Sequence, residues 1–129
     1  MQGNIDLIVF FEGSLEKPLH FKHPLEDVVT SKYNLPPTVS FDNFSDSVTT
    51  SYLKEAFQNL EQILIIFLCQ PNCALGHGLT LIKHVKKAKA KIQLEVIEEH
   101  RTVLKMTKIL SSTDVRLHSS QSDFTKNFV

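Results

Sequence analysis

The chain has 129 residues and no tryptophan, only four glycines, only two cysteines and no net charge. Each shortage excludes something. Cys69 and Cys73 are spaced C-x3-C around Pro71, which is neither a zinc-knuckle nor a thioredoxin-like spacing, and no second pair exists to complete a metal site. They read as a reduced, partly buried pair at a strand end. With so few glycines, Gly76-x-Gly78 lacks the third glycine of a dinucleotide fingerprint. No G-x-S-x-G elbow is present to suggest a hydrolase. No apolar run approaches the ~20 residues of a membrane span. Met1-Gln2-Gly3-Asn4 shows neither a basic region nor a small-residue cleavage site, so the expectation is a cytoplasmic protein with no membrane contact. Internal repeats and low-complexity segments are absent too. A neutral chain is no nucleic-acid binder by composition.

What is present fits one globular domain over residues 1–129. Hydrophobic residues make up 42%, with nine phenylalanines. A chain of this length buries roughly two-thirds of its unfolded surface. The zero net charge is unevenly laid out. Residues 1–62 hold four lysines against nine Asp and Glu, a balance of −5, whereas residues 83–108 hold eight Lys or Arg against three Glu, a balance of +5. The two halves either neutralise each other across the surface or leave a basic patch.

Strand and helix patterns alternate. Ile5 to Phe11 is rich in β-branched and aromatic residues and is stopped by Gly13-Ser14. Residues 14–37 are broken by Pro18, Pro24, Pro36 and Pro37, with an edge-strand-like Leu19–His23 and a short helix opening at Pro24. Together, residues 1–38 form an extra N-terminal strand plus a Pro-rich connection. Thr38–Phe41 reads as a strand with Val39 and Phe41 on one face. Val48, Tyr52, Ala56 and Leu60, widened by Leu53 and Phe57, make a helical stripe. Ile63 to Leu68 has no polar face, as expected of a central strand covered on both sides. A helix from about Leu79 to Ala90 turns Leu81, Ile82, Val85 and Ala88 inward and Lys83, Lys86, Lys87 and Lys89 outward. Lys91–Val96 alternates strictly, which predicts a half-exposed strand. A helix over His100–Leu110 and a strand over Val115–His118 follow. Residues 119–129 form a polar tail, apart from Phe124 and Phe128, and read as a frayed helix. The expected architecture is a single-domain α/β sandwich: a four- to five-stranded mixed or mainly parallel sheet with flanking helices.

The loop Gly76-His77-Gly78 lies between the apolar strand and the Lys-rich helix, where α/β proteins commonly place working atoms. Residues 39–119 around it resemble the STAS domain of anti-sigma factor antagonists and sulfate-transporter tails. Asp46, Thr49 and Leu53 stand at matching offsets after Asn43. Gly78-Leu79 followed by Lys83, Lys86, Lys87, Ala88, Lys89 and Ala90 matches the family's second helix, and the strand-helix-strand pattern of Ile92–Val96, Val103–Leu110 and Val115–Leu117 follows. The resemblance implies a STAS-like fold and a non-catalytic regulatory module. Its partner would be another protein or a second copy, with no cofactor and no nucleic acid. The candidate binding residues are Gly76, His77, Gly78, Lys83, Lys86 and Lys87. Three positions depart from the family. Phe67 stands where an Asp is usual, Leu75 where the next Asp falls, and Gly76 where the family carries its phospho-acceptor Ser. Gly76 has no hydroxyl, so that switch is not available there, and Thr80 lies one turn further in.

The competing reading is metal or tetrapyrrole binding. Glu12-Gly13-Ser14 and Gly76-His77 each follow an apolar strand, and the pair resembles the two loops of small sirohydrochlorin chelatases, with Glu12 and His77 as ligands. The Asp-Ile-Pro-like element expected after the second loop is replaced by Gly78-Leu79-Thr80. His20, His23 and Glu26 have ligand-like spacing in a Pro-rich stretch. Glu98-Glu99-His100-Arg101 reads as a helix cap. Strand order separates the two readings. A mixed sheet with its helices mostly on one side supports the docking module. A parallel sheet with helices on both faces, and Glu12 near His77, supports the chelatase-like protein.

Overall fold

A computed structural model describes residues 5–13, 25–33, 36–42, 47–68, 76–97, 103, 105 and 113–128. The strands are β1 (Leu7–Glu12), β2 (Thr38–Asp42), β3 (Gln62–Leu68), β4 (Lys91–Ile97) and β5 (Asp114–His118). The helices include α1 (Glu26–Lys32), α2 (Ser47–Asn59), α3 (His77–Lys87) and α4 (Gln121–Phe128). All five strands are parallel, in the order β2-β1-β3-β4-β5. This is a doubly wound α/β sandwich, with the order seen in flavodoxin-like sheets. No helix among the described residues is long and apolar enough to cross a membrane.

The strands at the centre are the most apolar stretches of the chain. Leu7–Phe11 and Ile63–Leu68 are buried throughout, because helices cover both faces of the sheet. On one face, Leu7, Val9, Phe11, Ile63, Ile65, Phe67, Ile92, Leu94 and Val96 pack against Leu53, Ala56 and Phe57 of α2, Leu81, Ile82 and Val85 of α3, and Val103. On the other, Ile8, Phe10, Leu64, Ile66 and Ile97 meet Val29 of α1 and Phe124 of α4. The N-terminal strand expected as an addition to the domain lies second in the sheet, between β2 and β3. The Asp6 carboxylate accepts the backbone N–H of both Glu61 and Gln62 at 3.0 Å, joining the starts of β1 and β3.

Several elements differ from their sequence reading. On α2 the inward residues are Leu53, Ala56 and Phe57, while Val48 is 74% and Tyr52 48% exposed. An i, i+4 stripe drifts about 40° per step around a helix of 3.6 residues per turn, so its far end swings off the sheet. The third helix ends at Lys87 rather than near Ala90. Ala88 is extended (φ −69°, ψ 144°), and the N–H groups of Lys89 and Ala90 both donate to the Phe57 carbonyl at 3.0 Å. The tail is an ordered helix. Ser120 Oγ accepts the Asp123 N–H at 3.0 Å as an N-cap, and Phe124 is fully buried. Strand β4 is not half-exposed: Gln93 and Glu95 are buried as well as its apolar residues. The Leu19–His23 edge strand and most of the His100–Leu110 helix lie outside the described residues, although Val103 and Lys105 are helical.

Candidate functional site

The strand order reverses between β1 and β3, so the crevice outside their carboxyl ends is where a doubly wound sheet offers a site. The described residues there include Glu12 at the end of β1, Gly13 after it, and Gly76, His77 and Gly78 at the start of α3. The Gly13 N–H donates to the Leu68 carbonyl at 2.9 Å, holding the two strand ends together. Phe11 stacks on Phe67 with ring centroids 4.6 Å apart, and Phe41 lies 6.1 Å from Phe11. His77 stacks on Phe41 at 5.6 Å with 22° between the planes. On the α2/α3 face these rings pack together at the carboxyl ends of β1, β2 and β3.

Both loop glycines have steric reasons. Gly76 has φ 51° and ψ −122°, a backbone conformation that side-chain-bearing residues rarely adopt. Its carbonyl accepts the Leu79 N–H at 3.2 Å, which tightens the turn into α3. Gly78 is buried, and a Cβ there would lie 2.9 Å from Cζ of both Phe11 and Phe67. The first turn of α3 thus presses directly onto the aromatic stack.

Glu12 and His77 share this end of the sheet but not a face. Alternation along β1 groups Glu12 with Ile8 and Phe10, on the α1/α4 side. His77 stacks on Phe41, which belongs to the α2/α3 side. So the sheet is parallel with helices on both faces, as the chelatase-like reading requires; Glu12 alternates onto the α1/α4 side and His77 stacks on the α2/α3 side. Among the described residues, no group of three or more His, Cys, Asp or Glu is placed to hold a metal ion. Cys69, Cys73, His20, His23 and Glu98–Arg101 lie outside the described residues, as do Asn43, Asp46 and Leu75.

The outer face of α3 is basic. Lys83, Lys86 and Lys87 are exposed, and none of the three forms an ion pair among the described residues. Beside them, Gln58 Nε2 of α2 donates to the Lys87 carbonyl at 2.9 Å. His84 lies in the seam between the two helices. Burial lowers its pKa below the usual imidazole value, and the charges of Lys54 and Lys87 lower it further.

A polar cluster on the opposite face was not read from the sequence. Glu95 is 0% exposed. Its Oε1 lies 2.8 Å from His118 Nε2, and its Oε2 accepts Gln93 Nε2 at 2.9 Å. Arg116 Nε stands 3.8 Å from Oε2, with its side chain half in solvent. Burial raises the pKa of Tyr33, at the end of α1, and the Glu95 charge raises it further. Arg116 and a hydrogen bond with Gln93 act in the opposite direction. The His118 ring meets the edge of Phe124 at 5.0 Å. The signal was parity. Gln93 and Glu95 on β4, and Arg116 and His118 on β5, alternate onto the same face, and a covered face demands that such groups be paired. With its partners provided inside the fold, the cluster reads as a closed network under α1 and α4.

No protein family, curated protein or solved structure matches this chain.

Proposed function

We propose that this domain works by docking another protein through the basic outer face of α3, and that it carries out no chemistry of its own. The observation that carries the reading is the row Lys83, Lys86 and Lys87, exposed and without ion pairs among the described residues. Like charges gathered on one helix repel each other, and an acidic partner relieves that repulsion. The resemblance to STAS domains over residues 39–119 implies the same role, whereas the all-parallel sheet with helices on both faces is the arrangement set out above for the chelatase-like reading. Because β1 stands inside the sheet and outside the span of that resemblance, the basic face carries more of the argument than the family does. The proposed module lacks the family's phosphorylation switch. Gly76 has no hydroxyl, and its positive φ favours glycine at that position.

The test is binding of a fluorescent oligoglutamate peptide, followed by anisotropy at several salt concentrations. Wild-type protein should bind, and binding should weaken as salt screens the charges. The triple reversal Lys83→Glu, Lys86→Glu and Lys87→Glu should abolish binding while the protein stays folded. Equal binding by the reversal variant would remove α3 as the docking face. Its unfolding would mean that these lysines serve the internal charge balance.

A further inference from the structure

His84 is the residue on the docking face whose chemistry the lysine row leaves unexplained. Its Nε2 is sealed from solvent and has no hydrogen-bond partner among the described residues. The charges that act on the ring are Lys54 from α2 and Lys87 from α3, both positive; no carboxylate is among them. Lys54 and Lys87 are both exposed beside this seam, and Lys83 and Lys86 continue the exposed charge around α3. The ring therefore sits in a positive field with one side in the protein, at the place where an acidic partner would bring compensating charge.

We propose that an acidic protein segment docks over the α2–α3 seam and that docking draws a proton onto His84, so that mild acid tightens the contact. This inference rests on the docking reading above and adds its partner chemistry and its regulation. The free protein disfavours the imidazolium through burial and through the two ammonium groups. A carboxylate-rich segment laid against the lysines replaces net repulsion with attraction, so the docked protein holds the proton more tightly than the free one. Linkage is reciprocal: if docking promotes protonation, protonation promotes docking by the same factor. The sign follows. Above the docked pKa neither form carries the proton, and below the free pKa both do. Between those limits, affinity rises as pH falls.

The occupant is a protein segment by composition. Neither α2 nor α3 contains an arginine, and α3 has no aromatic residue beyond its histidines for stacking bases.

The experiment uses the full chain and the same oligoglutamate peptide, titrated at constant ionic strength from about pH 8 to about pH 5.5, where the peptide stays essentially ionised. Affinity should rise about three- to tenfold toward the acid end, a tenfold change corresponding to about one unit between free and docked pKa. His84→Gln should still bind but lose most of the pH dependence. Histidine proton shifts in the NMR spectrum of the wild type should show the His84 titration moving to higher pH when peptide is added. That measurement needs no variant, so it decides the matter even if His84→Gln fails to fold. Binding that is independent of pH, or a pH dependence kept in His84→Gln, overturns the proton linkage and leaves the docking reading standing. Absence of peptide binding at every pH overturns the docking reading itself. An oligothymidylate of equal charge that binds as tightly as the peptide overturns the assignment to a protein segment.

Discussion

On the face covered by α2 and α3, the inward residues of the three central strands are all apolar, and they end in a stack of phenylalanine rings. On the face covered by α1 and α4, β1 and β3 are equally apolar, but β4 and β5 contribute Gln93, Glu95, Arg116 and His118. The first face depends on shape. Its rings leave so little room that the first turn of α3 meets them through Gly78. The second depends on satisfaction: a buried carboxylate persists there because His118, Gln93 and Arg116 surround it. Packed apolar faces lose stability in proportion to the volume removed or forced in. Faces built on a buried charge fail when one partner is removed.

The largest expected effect lies on the polar face. His118→Ala deprives Glu95 of its closest partner and Phe124 of an edge contact, and should cost about 3–5 kcal/mol in urea denaturation. Replacing both partners, Glu95→Leu with His118→Leu, should recover most of that loss, because the isolated charge is then gone. A double variant as unstable as the single would show that the network is needed for more than charge balance. Next comes the apolar face. Gly78→Ala forces a methyl group against two fully buried rings and should cost about 1–3 kcal/mol. An unchanged melting temperature would mean that the stack yields more readily than its packing implies. Gly76→Ser sets a side chain at φ 51° and should cost about 1–2 kcal/mol. The smallest effect concerns His84. Its pKa is lowered in the folded state, so the unfolded chain binds that proton more readily and stability falls as pH drops below the ordinary imidazole range near 6.5. His84→Gln should flatten that part of the stability profile, read by thermal melts between about pH 7.5 and about pH 5.

The architecture was legible where a strand had no polar side. Ile63–Leu68 had to be central, and the alternation of strand and helix patterns had to give a largely parallel sheet. Legibility failed where polarity had two meanings. Lys91–Val96 alternates as an exposed strand does, but in a doubly wound sheet the polar side also lies under helices, so alternation could not separate solvent from a buried network. It failed again on α2, where spacing identified the apolar residues but docking angle decided which of them were covered. At the strand ends, the two glycines stood out in the sequence, yet composition could not tell a ligand cradle from a close helix–ring contact. That distinction depended on Phe11, more than 60 residues away in the chain, meeting Phe67 and Gly78. The lysines of α3 were outward as their spacing required. His84 gave no sign of its position between two helices.

The Asp6 carboxylate supplies something that the strands beside it lack. Leu7–Phe11 and Ile63–Leu68 are apolar at every position, so sliding one past the other by a residue would exchange one set of apolar contacts for another. Their side chains carry almost no information about alignment. Asp6 does, because only one alignment lets a single carboxylate oxygen receive the N–H groups of both Glu61 and Gln62. The reading frame of the central pair is set at this solvent-facing edge, from which the register passes outward to β2 and β4 and brings the far strand ends level with the start of α3.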